Sequence, residues 1–145
     1  MDTSEILRGC RGLPGMRVNT ADDRTELILN GEDGGGSMCF YPLFPGISLA
    51  WISIAAPAWP APVPYAISPE INGPLIINYC TKGRCEIVLN DSKSVLLTAG
   101  QISLTEKFAQ REYVYPGRVY EGFEIFIDPE GGVRRVGRDF RDVRA

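Results

Sequence analysis

The sequence predicts a mainly β protein, an antiparallel barrel or sandwich of short strands, on three observations. Gly (16) and Pro (11) supply about a fifth of the 145 residues, the composition of many turns joining short strands. Short β-prone runs bounded by Gly, Pro and Asn-Asp recur from Thr25 to Ile127, as sandwiches and barrels require. A helical period of apolar residues shows itself only past Asp128. The length fits one domain with a core of its own.

In chain order, residues 1–24 read as an N-terminal arm of mixed polarity with at most one helical turn near Thr3–Arg8. Thr25–Leu29 alternates weakly, and the cluster from Gly31 to Gly36 reads as a turn; no Gly-Lys-Ser/Thr follows it, so it is not a phosphate loop. Met38–Phe44 and Ile47–Ile54 are strands separated by Pro45-Gly46. Pro57, Pro60, Pro62, Pro64 and Pro69 follow; without their N–H groups this stretch is kept from a central ladder and reads as a long loop. Leu75–Cys80, Arg84–Asn90, Ser94–Leu97 and Ile102–Thr105 are expected as four strands, with turns at Lys82-Gly83, Asn90-Asp91 and Ala99-Gly100. Glu112–Tyr115 and Tyr120–Ile127 complete the 25–127 barrel across Pro116-Gly117. Asp128-Pro129 then makes an N-cap with Pro at the first helical position. Val133, Val136, Phe140 and Val143, at steps of 3, 4 and 3, form the stripe of a packing helix. Residues 134–145 hold five Arg against two Asp, the solvated face of that helix.

Composition removes whole classes of chemistry. With no histidine, Ser-His and Cys-His nucleophiles, an imidazole base and His-containing zinc sites are excluded. A net charge of −3 gives no overall nucleic-acid footprint. The N-terminus lacks a signal core, and Ile47–Trp59, broken by Ser48, Ser53 and Pro57, falls short of the ~20 residues of a membrane helix. A cytoplasmic protein with reduced thiols is expected; Cys80 and Cys85, flanking the expected Lys82-Gly83 turn, are the one pair placed to meet across a hairpin. Glu121 and Glu124 resemble a carboxylate pair, but their odd separation on a strand puts them on opposite faces.

The runs LIINYCTKGRCEIVLN (75–90), LLTAGQISL (96–104) and EYVYPGRVYEGFEIFID (112–128), with LNGEDGGGSMCFYPLFPGISLAW (29–51) upstream, resemble the cupin half-barrel of AraC-type transcriptional regulators. The resemblance covers about residues 25–130. It implies a jelly-roll sensor barrel that binds a small-molecule effector, sugar-like or otherwise polar, and a C-terminal helical dimerisation element. Val133, Val136, Phe140 and Val143 would carry that homodimer. A full-length member reads DNA through helix-turn-helix units; none is present in this chain, so DNA would be reached only through a domain absent here.

Metal-binding cupins use His and Glu ligands. The matching positions here are Glu70, Asn72, Ile76 and Arg111, an apolar residue and a guanidinium among them, and neither coordinates a metal at neutral pH. No metal or other cofactor is therefore expected. The ligand-binding positions implied are Trp51, Tyr79, Arg111, Tyr113, Glu121 and Phe123, with Glu121, Phe123 and Ile125 on the strand face expected to point inward. The reading is a sensor and not an enzyme; the alternative is a stand-alone metal-free cupin enzyme of epimerase or lyase type, or a small-molecule-binding protein.

Overall fold

A computed structural model describes residues 14–59, 75–89, 91–106 and 110–127. They form nine strands: β1 (Met16–Ala21), β2 (Arg24–Gly31), β3 (Gly34–Phe44), β4 (Ile47–Ala55), β5 (Leu75–Leu89), β6 (Ser94–Thr98), β7 (Ile102–Glu106), β8 (Gln110–Val114) and β9 (Tyr120–Ile127). The expected helix beyond Asp128 lies outside the described residues, as do residues 1–13 of the arm and the Pro-rich stretch over 60–74.

Every pairing is antiparallel. The first sheet runs β1-β2-β3-β4-β9-β5, with β7 on the far side of β5. The second half of β5 pairs instead with β6 and β8. The strand path is open, not a closed barrel. Residues following β4 tie the second sheet to the first: Ala58 bridges Val114, Trp59 N–H donates to the Tyr113 carbonyl at 3.0 Å, and Tyr115 N–H donates to Pro57 at 2.7 Å.

Three expectations are corrected here. The arm does not extend to residue 24: Met16–Ala21 pairs with β2 in full register, and Met16 and Val18 pack on the core. The β2–β3 hairpin turns at Glu32-Asp33, while Gly34–Gly36 belong to β3. Small residues are needed there because a Cβ on Gly35 or Gly36 would press into the carbonyls of Leu29 or Ser53 on the flanking strands. Finally, Lys82-Gly83 is not a hairpin turn. The chain runs on through it as one 15-residue strand.

That strand changes phase as it passes. Ile76, Asn78 and Cys80 are buried before the bend, Cys85 and Ile87 after it, so the inward residues switch from even to odd. The cause is a bulge. Cys80 pairs with Gly122 and Lys82 with Glu121, leaving Thr81 as the extra residue. Its hydroxyl donates to the Glu121 carbonyl at 2.9 Å, and the Cys80 thiol reaches the carbonyls of Lys82 (3.5 Å) and Gly83 (3.4 Å). Gly83 sits at φ +79°, where a side chain would drive into the Val119 carbonyl. One strand thereby presents apolar side chains to two cores. One core gathers Ile52, Ile54, Cys85, Ile87, Leu97 and the tyrosines 113, 115 and 120. The other gathers Leu27, Phe40, Ala50, Ile76 and Phe126, and Met38 and Trp59 pack against both.

Gly83→Ala is expected to destabilise the protein by at least about 2 kcal/mol, the conformational cost plus a clash with fixed backbone. Gly100→Ala makes the control: it shares a positive φ of +87° but has nothing within 4 Å of the new methyl, and is expected to cost about 1 kcal/mol. Urea unfolding of the two variants side by side checks the difference.

Candidate functional site

The interior of a β sandwich is normally apolar, and a buried polar side chain costs free energy unless it is partnered. Here three polar side chains are lined up across adjacent strands on the inner face. Glu124 on β9 pairs in register with Asn78 on β5, and Asn78 pairs with Ser103 on β7. Asn78 is 1% exposed and Glu124 4%. Asn78 Nδ2 and Ser103 Oγ are buried without a hydrogen-bond partner among the described residues. The Asn78 amide thus offers two N–H donors to an interior that answers neither.

Tyrosines frame this row. The Tyr120 hydroxyl lies over Gly122, the residue between it and Glu124; a side chain at Gly122 would meet that hydroxyl within 2.8 Å. Tyr115 stacks on Tyr120 with ring centroids 5.3 Å apart and planes at 23°. Tyr113, opposite Ile87 on β5, completes the wall. Burial, reinforced by the Glu124 carboxylate, pushes the phenols of Tyr113 and Tyr120 above the usual tyrosine range. Burial, then Cys85 and Glu124, does the same for Tyr115. Burial and Glu124 also raise the Cys85 thiol, and burial the Cys80 thiol. At neutral pH these groups hold their protons. The phenols are donors and acids, and the thiols are poor nucleophiles. Cys80 and Cys85 lie on the same strand, both free.

Of the residues the sequence singled out, Tyr113 alone is seen inside. The expectation that Glu121, Phe123 and Ile125 point inward is corrected: in β9 the buried side is Tyr120, Gly122, Glu124 and Phe126, and the other four residues are half-exposed. Trp51, Tyr79 and Phe123 do come together, but on the outer face, with Phe123 centred 6.1 Å from Trp51 and 5.1 Å from Tyr79. Glu121 stands on that same outer face in a 3.9 Å exposed pair with Lys82, of little energetic weight. Arg111 is the extra residue of a bulge in β8, between Gln110 opposite Leu89 and Glu112 opposite Val88; its side chain lies outside the described set. Val133, Val136, Phe140 and Val143 lie outside it too. Glu121 and Glu124 do face opposite ways, as their spacing requires. Asn78, Ser103 and Glu124 were not among the expected site residues. At the positions matched to cupin metal ligands, Ile76 is fully buried core and no donor set forms among the described residues.

No family model matches the chain, and no curated protein does. Solved structures do. HutD from Pseudomonas fluorescens SBW25 aligns with a TM-score of 0.53 at 14% identity, over 79% of this chain and 61% of that one. A cupin 2 conserved barrel domain protein from Salinispora arenicola CNS-205 aligns with a TM-score of 0.50 at 14% identity, over 84% and 90%. The fold is a cupin fold. An HTH_3 family transcriptional regulator from Vibrio cholerae is a more distant likeness, with a TM-score of 0.46 and 16% identity over 63% of this chain; the chain spans 51% of that regulator. These identities reach the fold and stop there, short of the AraC-type assignment. The expectation that the chain is not an enzyme does not stand. Ectoine synthase from P. lautus is a further likeness (TM-score 0.45, 16% identity, 83% of this chain and 78% of that one), and a fold by itself excludes no activity. Membership of the fold leaves the question to the side chains. Among the described residues, no helix is long and apolar enough to cross a membrane.

The buried phenols make a pH prediction. Unfolded, Tyr113, Tyr115 and Tyr120 ionise near 10.0 and Cys85 near 9.0; folded, all four hold their protons to higher pH. Above those values the unfolded state binds fewer protons, so stability falls as pH rises, by up to about 1.4 kcal/mol per pH unit for each group. Stability is expected to be insensitive to these groups below pH 9 and to decline above it. Buried phenolate absorbance should appear together with loss of circular dichroism, not ahead of it.

Proposed function

We propose that the chain is a cupin-fold protein that binds a small polar molecule inside the sandwich, against the Ser103–Asn78–Glu124 row. One observation carries this reading: an amide 1% exposed whose donors have no partner. Leaving such donors unmet costs about 1–3 kcal/mol, and a ligand acceptor that meets them recovers it. Glu124, in register beside Asn78, suits a ligand that also presents donors, and the tyrosine wall supplies flat apolar surface. A hydroxylated or amine-bearing molecule with a carbonyl, ether or carboxylate oxygen satisfies all three.

The test separates binding from stability. Asn78→Leu, which keeps the branched heavy-atom skeleton and replaces both polar atoms with methyls, removes the unmet donors. It is expected to raise the melting temperature of the free protein by about 2–6 °C while abolishing the thermal shift given by any hit from a panel of polyols, amino acids and amines. A hit that binds Asn78→Leu unchanged, or a variant less stable than the parent, would overturn the placement.

A second reading shares the site: metal-free acid–base catalysis, with Glu124 as base and Tyr120 or Tyr113 as acid. The protonated phenols lying around the one buried carboxylate among the described residues favour it. A bound compound that is converted over time, and is spared by Glu124→Gln and Tyr120→Phe, supports catalysis; one recovered unchanged supports sensing alone. Service as the effector domain of a longer AraC-type regulator rests on the sequence resemblance and needs a ligand that shifts the balance between two states of the larger protein.

A further inference from the structure

Two of the three polar groups in the interior row are donors left unmet side by side. Ser103 and Asn78 face each other across the β5–β7 pair, where opposed side chains stand about 5 Å apart. A hydrogen bond from Asn78 Nδ2 to Ser103 Oγ would satisfy both atoms, yet both are buried without a partner. Each keeps a hydrogen to give, so the pair is set to grip one acceptor from two sides. Glu124 lies on the other side of Asn78 in the register. A carboxylate has about four acceptor sites, so Glu124 receives a ligand N–H alongside its protein contacts. From β7 to β9 the row therefore reads donor, donor, acceptor.

The surroundings narrow what answers that order. Ala50 lies opposite Glu124, and Gly122 opposite Cys80 in the next row toward the bulge; these small residues let a flat group come close to the sheet. On the other side stands the buried apolar pair Ile76 and Phe126. Every Lys and Arg whose side chain is described is exposed, so among the described residues no buried cation offsets a ligand anion beside Glu124, and a buried anion without one is costly. An ammonium suits Glu124 but has no lone pair for Asn78 or Ser103. A polyol brings a further O–H with every oxygen it offers, and the row has a single carboxylate to receive them.

We infer that the site takes a neutral carboxamide, lactam or ureide, its carbonyl oxygen held jointly by Asn78 Nδ2 and Ser103 Oγ and its N–H given to Glu124. This rests on the interior row being the binding site and adds the chemical class of the occupant. A carbonyl oxygen carries two lone pairs in one plane, one for each donor, and the adjacent N–H is a separate atom on the same rigid plane, directed to the next strand.

The test sets matched compounds against the full chain by thermal shift: benzamide and 2-piperidone, beside benzoate, benzylamine and benzyl alcohol. The two amides are expected to raise the melting midpoint and the other three to leave it unmoved. Ser103→Ala should weaken benzamide binding roughly three- to tenfold, the share of one neutral hydrogen bond, without lowering the midpoint of the free protein; Asn78→Leu should abolish it. Preference for benzoate, benzylamine or benzyl alcohol that is lost in Asn78→Leu would overturn the amide class and leave the interior site standing. Benzamide bound equally by the parent and both variants would overturn the site and the class together. No shift from either amide up to its solubility would overturn the class.

Discussion

The phase change in β5 is the constraint on which the rest of the molecule depends. Four strands pair with β5: β7 and β9 with its first half, β6 and β8 mainly with its second. Without the extra residue at Thr81, Cys85 and Ile87 would face solvent, and the second sheet would have no apolar side to close on. The bulge is therefore held redundantly, by the Thr81 hydroxyl, by the Cys80 thiol and by a glycine in the left-handed region. The turn joining β6 and β7 is fixed to the same place, since Cys80 donates to Gln101 and accepts from Gly100.

The bulge also sets where polarity goes. Ahead of it, the even residues of β5 bring Asn78 to face Glu124 and Ser103; beyond it, the odd residues bring Cys85 and Ile87 against the tyrosines. A polar row and an aromatic wall consequently meet inside the sandwich. On β9 the polarity is inverted: Glu124 faces in, while Phe123, Ile125 and Ile127 face out.

That inversion explains what was and was not legible in the sequence. The strands were legible because turn residues punctuate them. The binding side of β9 was not. Alternation in YEGFEIFI offers two faces, and the more apolar one, Phe123-Ile125-Ile127, is the natural choice for the interior; here it faces out. Trp51, Tyr79 and Phe123 lie together on the outer side of the sheet, not facing the interior expected of ligand-binding residues. The bend at Gly83 was legible as a glycine needing special backbone, yet a bulge and a hairpin turn share that signature. Asn78 drew no notice because an asparagine in a strand looks like a surface residue until its neighbours in register are known.

The pairing of β4 with β9 carries a consequence for how the chain acquires its structure. Trp51 meets Phe123 across 72 residues of sequence, so the β1–β4 meander, built from local hairpins, can assemble long before its partner strand exists. Until β9 docks, β4 is an open edge bearing Leu49 and Trp51, the kind of edge that recruits other chains. Closure waits on a long loop search, which makes folding of this topology slow. During synthesis the hazard lasts until β9 emerges from the ribosome and pairs with β4.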